Sequence, residues 1–267
     1  MKVYIGVAAH KFYPICPSEE YVPIQVGAAG KEMISGFTQD DCGKNISQLN
    51  PYFSELTAAY YIWQNVQSDV KGMVHYRRYL GKSLVFGKNS TQKVFDAALK
   101  KKDIERLLTQ SPVIVASKRH YYIESNYSHY AHAHNVQDLD ITGKIIKELY
   151  PKYSNEFDIV MKKSSAHMFN MYIMKGDLFD QYHKWLFDIL FELNKRIDIT
   201  DYSAQESRVF GYISELLLDV WLGTNKISPI EAKVLYTEQQ HVLKKAINFI
   251  RRKILGTGES HIRSSVD

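Results

Sequence analysis

The stretch that most limits the fold is residues 72–80, GMVHYRRYL. A short apolar lead-in, Met73 and Val74, runs without a turn signal into His75, Tyr76, Arg77, Arg78 and Tyr79. Such a run reads as a buried strand that ends in hydrogen-bond donors and aromatic rings. In open α/β sheets ligands sit outside the carboxyl ends of strands, and two adjacent guanidiniums there offer forked donors to phosphate oxygens. The competing reading is a strand end with two solvated arginines on alternate faces. What precedes the stretch sets the topology. Residues 3–8 form a first β-rich run, and Pro51 opens a helix over 51–66 in which Phe53, Leu56, Ala59, Tyr60 and Trp63 recur at helical spacing. The opening is therefore β-loop-α-β.

The first strand delivers His10 and Lys11 to its carboxyl end, after which Pro14, Pro17 and Pro23 prevent a helix. The turn-rich DDCGKNIS, residues 40–47, contains Asp41 and Asn45, with Asn45 or Ser47 placed to cap the helix that follows. A second strand, 113–116, also ends in cations, Lys118, Arg119 and His120. His129, His132 and His134 crowd NYSHYAHAHN: a helix puts the first two on one face, an extended chain the last two. Asp138 and Asp140 resemble the Asp-x-Asp metal clamp of sugar-nucleotide enzymes, but the amphipathic run 141–150 makes an aspartate there a helix N-cap. Residues 167–174 read as a strand with His167 at its entrance and Asn170 in need of a buried partner. Helices follow over 178–193 and 209–222, and between them Gln205, Glu206 and Arg208 either reach into a cleft or begin the second helix. The expected fold is α/β, a mostly parallel sheet of 3–8, 72–76, 113–116 and 167–174 covered by helices.

Composition narrows the function. With 267 residues, 45% apolar and 24% charged, the chain can bury a core, read here as one domain over 1–255 with a disordered tail over 256–267. A net charge of +5 suits anionic ligands or an anionic membrane surface and is too small to argue for nucleic acid. Cys16 and Cys42 lack metal-ligand or CxxC spacing, which points to a reducing cytoplasm. No apolar run has the length of a membrane span and no signal-peptide layout opens the chain. The basic, amphipathic run 244–253 fits peripheral contact with an anionic membrane at its inner face, or a helix docked on the domain. Nineteen tyrosines suit a carbohydrate surface.

Several long motifs carry a resemblance: VAAHK, YVPIQVGAA, DCGKNIS, NPYFSELTAAYYIW, HYRRY, HMFNMYIMK, LFDILFELNKRIDI and SELLLDVWL. In this order, from Val3 to about Leu243, they resemble a bacterial family of capsular and exopolysaccharide biosynthesis proteins, long catalogued as a domain of unknown function. Its members are regarded as glycosyltransferases with a GT-A-like, Rossmann-type fold. The resemblance implies transfer of a hexose, galactose as pyranose or furanose, from a nucleotide diphosphate donor such as a UDP-hexose to a lipid-linked or growing glycan. The alternative is a non-catalytic glycan-binding or scaffold subunit of a polysaccharide assembly complex.

The residues themselves supply the expected site. His10, Lys11, Asn45, His75, Arg77 and Arg78 are expected at the donor diphosphate. His129, His167 and Asn170 are expected at the sugar or acceptor. His132, Glu206 and Asp41 are the candidates for the base that deprotonates the acceptor hydroxyl. Manganese or magnesium stays open as a cofactor, with no metal ligand assigned.

Overall fold

The computed structural model of the protein describes residues 1–84 and 91–238. The expected basic helix over 244–253 and the tail over 256–267 lie outside the described residues. The large sheet contains β1 (Val3–Ala9), β2 (Tyr21–Gln25), β3 (Thr38–Gln39), β4 (Val70–His75), β5 (Arg78–Gly81), β6 (Val113–Ala116), β9 (Tyr172–Lys175) and β10 (Ile230–Tyr236). A two-stranded ribbon of β7 (Arg119–His120) and β8 (Ser165–Ala166) stands beside it.

The sheet is mixed, not mostly parallel. β1 pairs in parallel with β2 and β4, β2 with β3, and β6 with β10. β9 runs antiparallel between β4 and β6, and β5 antiparallel to both β4 and β10. Strands β4, β5, β10, β6 and β9 therefore close a ring whose tightest join is the His75–Arg78 pair. The reason is local: His75 is followed after two residues by Arg78, so the chain turns straight back as a hairpin rather than crossing over through a helix. Apart from β5 and β9, the strands run the same way, and their carboxyl ends share one edge.

Side chains alternate across the sheet into two cores. Ile5, Val7 and Ala9 of β1 face one core with Ile114, Ala116 and Ile173; Val113, Val115, Tyr172 and Met174 face the other. The larger core is covered by α2 (Leu56–Asn65), α6 (Val136–Leu149), α7 (Ser154–Lys162), α8 (Gly176–Arg196) and α9 (Val209–Thr224), the smaller by α3 (Thr91–Ala97) and α4 (Lys101–Leu108). The 21-residue α8 buries Phe179, Tyr182, Leu186, Ile189, Leu190 and Leu193 along one stripe, as its periodicity predicts. Gly72 lets β9 approach, since a Cβ there would lie 2.8 Å from the Tyr172 carbonyl oxygen.

Three expected elements are redrawn. The helix over 51–66 is two helices, α1 (Asn50–Phe53) and α2, broken where Ser54 takes φ 52° and ψ −132°. The expected strand over 167–174 begins only at Tyr172, because Phe169 (φ 81°) and Asn170 (φ 49°) make a left-handed turn. Helix α6 starts at Val136 under an Asn135 cap, so neither Asp138 nor Asp140 is the N-cap. The side chains of Asn45 and Ser47 are spent elsewhere and do not cap α1.

Candidate active site

At the carboxyl edge the Phe169 turn gathers side chains from four distant segments. His75, at the end of β4, donates from Nε2 to the Phe169 carbonyl at 2.5 Å, and burial pushes its pKa down, so the ring is held neutral. The Arg78 guanidinium lies over the Phe169 ring at 4.7 Å from its centroid. Asn170 is buried, donates to Glu55 Oε1 at 2.7 Å and to the Gly211 carbonyl at 3.2 Å, and accepts from Ser214 Oγ at 3.0 Å. That network explains how a polar side chain tolerates the core, and it ties the turn to α9 and to the break between α1 and α2.

The same turn borders a cavity of about 300 Å³, at the small end of ligand sites. Its charged lining is Glu55, Glu215, Arg78, Arg119 and Arg208. Burial, with Glu55 adding to it, pushes the Glu215 carboxyl up to about 7, while Arg78, Arg119 and the Phe169 amide oppose the shift. Arg208 donates from Nε to Ser54 Oγ at 2.9 Å, so the strained Ser54 backbone also serves the cavity. Two aromatic pairs complete the wall: Tyr121 stacks on His129 at 3.8 Å and His134 on Tyr212 at 4.2 Å between centroids. Burial brings His134 down to about 4. The cavity thus offers forked cations, a carboxyl poised near neutrality and flat apolar faces that suit the faces of a sugar ring.

Outside the cavity the edge continues as a basic rim. His10 and Lys11 are exposed beyond β1, and the His10 ring meets Tyr76 edge-on at 5.4 Å. Burial lowers the His10 pKa, and Lys11, Arg77, Lys31 and Arg208 lower it further, which marks a positive field. Arg77 lies against the Tyr76 ring, with Nε 3.1 Å from Glu238 Oε1 as an ion pair outside hydrogen-bond alignment.

Residues 3–226 match the family model described as "Domain of unknown function (DUF4422)". The chain belongs to this family. It is also similar to the apo structure of the WbbM bifunctional glycosyltransferase, with a TM-score of 0.81 and 28% identity over 90% of this chain and 46% of that one. The chain thus spans about half the length of that protein. No curated protein matches it.

In this DUF4422 chain the residues expected from sequence separate into three groups. His75, Arg78 and His129 line the cavity, with Asn170 bonded to its wall. His10, Lys11 and Arg77 stand on the rim. The others lie elsewhere. His132 is exposed on α5 (Asn126–Ala133), where it and His129 both reach Glu124. Glu206 bonds the Ser203 backbone and hydroxyl, which holds its pKa down. Asn45 bonds the carbonyls of Asp41 and Gly43 within an exposed turn, and Asp41 does not line the cavity. His167 is enclosed by Asp219, 2.5 Å from Nδ1, and Glu231, 3.3 Å from Nε2. Asp138 and Asp140 do not converge, since Asp138 accepts from Tyr202 and Asp140 from Tyr127. Among the described residues no three potential ligand side chains gather as a metal cage. The structure adds Glu55, Glu215, Tyr121 and Tyr212. The signal for Glu215 was a carboxylate inside the apolar ISELLLDVWL helix, one turn before Asp219, which His167 engages.

Proposed function

We propose that this protein is a glycosyltransferase that moves a hexose from a nucleotide diphosphate donor to a glycan acceptor. The observation that carries the reading is the cavity at the carboxyl edge, where a carboxyl poised near neutrality and three arginines adjoin a basic rim. The family and the likeness to a glycosyltransferase support it. In the finer reading the fold is GT-A-like and the donor is a UDP-hexose, with galactose, as pyranose or furanose, the sugar. The acceptor is lipid-linked, met on the cytoplasmic face of the cell membrane in capsular or exopolysaccharide synthesis, and residues 1–255 act as one domain.

The chemistry assigns each region a part. The acceptor hydroxyl oxygen forms a bond to the anomeric carbon as that carbon's bond to the diphosphate oxygen breaks. The hydroxyl proton passes to the Glu215 carboxylate, whose raised pKa makes it an effective acceptor near neutral pH. The departing nucleoside diphosphate gains negative charge, which Arg78 and Arg208 meet from the cavity and His10, Lys11 and Arg77 from the rim. Forked guanidinium donors suit that role better than lysine would. The stacked Tyr121–His129 and His134–Tyr212 pairs form the aromatic wall against which a sugar ring lies. A divalent ion arriving with the donor would find Glu55 as the carboxylate of the cavity lining not assigned to the proton.

The test is a nucleotide-sugar turnover screen beside thermal shift with uridine diphosphate. The enzyme reading expects stabilisation by the nucleotide and turnover that falls with Glu215→Gln. A scaffold that only binds glycan would show neither, and that result would end the reading.

A further inference from the structure

The four most exposed large apolar side chains among the described residues are Tyr122 at 86%, Phe12 at 72%, Ile123 at 66% and Met33 at 65%. Topology puts all four at the edge where the cavity opens. Phe12 follows β1 by three residues, and Tyr122 and Ile123 follow β6 and β7. Met33 is fixed at the end of β2, since Gln25 donates to the Glu32 carbonyl at 2.8 Å and accepts from the Ile34 amide at 2.8 Å. Cations stand between them: Lys11 before Phe12, Lys31 near Met33, and Lys118 and Arg119 before Tyr122, all exposed, with the imidazoles of His10 and His120 beside them. The acids nearby are Glu32, Glu124, engaged by His129 and His132, Glu231, which accepts from the Lys118 amide and pairs with His167, and Glu238, paired with Arg77.

The chain beyond the described residues starts from the same edge. β10 runs parallel to β6 and ends at Tyr236, and Glu238 sits against Arg77 on the rim. In sequence the residues that follow include Lys244, Lys245, Arg251, Arg252 and Lys253. Exposed apolar tips among cations match a bilayer with anionic headgroups, where the tips enter the interface and the cations meet lipid phosphates.

We infer that the carboxyl edge of the sheet docks on an anionic lipid bilayer through Phe12, Met33, Tyr122 and Ile123, with the cavity mouth facing the membrane. The inference rests on exposure, topology and charge. It is read without substrate, so it stands or falls separately from the transfer reaction.

The experiment uses the full chain in co-sedimentation with phosphatidylcholine vesicles, with and without phosphatidylglycerol. The wild-type protein binds the anionic vesicles, binding weakens with salt, and Phe12→Ser/Met33→Ser/Ile123→Ser binds at least about tenfold more weakly. Leu149→Ser/Ile159→Ser, which removes exposed apolar side chains from α6 and α7, binds as wild type. Melting curves confirm that each variant is folded. If the triple variant unfolds, Phe12→Ser and Ile123→Ser singly replace it, each with a partial loss expected. Three results overturn the inference: no wild-type preference for anionic vesicles, edge variants that bind as wild type (attachment through the residues after 238 alone), or an equal loss in the α6–α7 control.

Discussion

Arg77 and Arg78 are neighbours in sequence, both half-buried, and only Arg78 lines the cavity. Arg77 lies on the open rim against Tyr76 and an ion-pair partner, Glu238, that is itself half in solvent. Arg78 begins β5 opposite His75 with its guanidinium over Phe169, in the cavity lining; its Nε, like that of Arg77, is buried without a hydrogen-bond partner among the described residues. The rim is a field of solvated charge, screened by salt and adaptable to whatever anion arrives. The cavity is set in advance: Asn170 and Ser54 have their partners, and Glu215 and His134 are held away from their ordinary protonation. A rim of this kind governs capture of an anionic ligand. A preorganised cavity governs what happens to it afterwards.

The sharpest way to break that division is to remove the proton acceptor without changing shape. Glu215→Gln is expected to lower turnover about 10³-fold, within the usual range for a general base, with no loss of melting temperature. If the variant turns over normally while His132→Ala or Glu206→Ala is inactive, the cavity is not where the proton moves. Next in size is the arginine pair. Arg78→Lys keeps the charge and loses the fork, and is expected to lower kcat about 30-fold or more, while Arg77→Lys changes KM by only a few-fold. The reverse order would transfer the leaving-group role to the rim.

The same contrast shows what could be read from the sequence. Strands β1, β4 and β6 and helices α8 and α9 were legible because their apolar periods are uninterrupted. The rim was legible too, since its cations directly follow strands in the chain. The cavity was not. Met168, Asn170 and Tyr172 mimic strand alternation, and although Asn170 is a residue type that tolerates the left-handed region, nothing in Phe169 announces a positive φ. Ser54 hides the break between α1 and α2 for the same reason, inside a run with helical spacing. Glu215 comes from a helix more than a hundred residues away from His75, and the carboxylates of Glu215 and Asp219, one turn apart on an apolar helix, resemble solvent-facing positions. The proximity of Glu55 and Glu215, mediated by Asn170 and Ser214, exists only in three dimensions.

Asn170 offers a structural probe of the cavity. Asn170→Ala removes the donor to Glu55 and Gly211 and the acceptor for Ser214. Leaving those groups unsatisfied in a buried setting is expected to cost about 2 kcal/mol of unfolding free energy, measurable in urea. A matched substitution on the rim, Lys11→Ala, is expected to stay within about 0.5 kcal/mol because its side chain is exposed. Equal losses would show that the cavity is no more preorganised than the rim.

The smallest effect tests the electrostatics of the cavity by sign. Glu215 is raised to about 7 in the folded chain, so between its ordinary carboxylate range and about 7 the unfolded chain loses a proton that the folded chain keeps. Its contribution therefore weakens as pH rises through that window. His134 is lowered to about 4, so below its ordinary imidazole range the unfolded chain takes up a proton that the folded chain refuses. Its contribution weakens as pH falls toward about 4. The two slopes oppose each other across mildly acid pH. Relative to wild type, Glu215→Gln should therefore gain stability toward neutral pH, and His134→Gln should gain it toward acid pH, each by about 1–2 kcal/mol after allowance for partial solvent access. On the rim, His10→Gln should change the profile less than either, because that ring is only partly desolvated and the field of its neighbouring cations is screened. Urea unfolding at a series of pH values reads all three differences. If Glu215→Gln and His134→Gln shift the profile in the same direction, the two groups are not held as this cavity holds them, and the contrast between a preset cavity and an adaptable rim loses its electrostatic half.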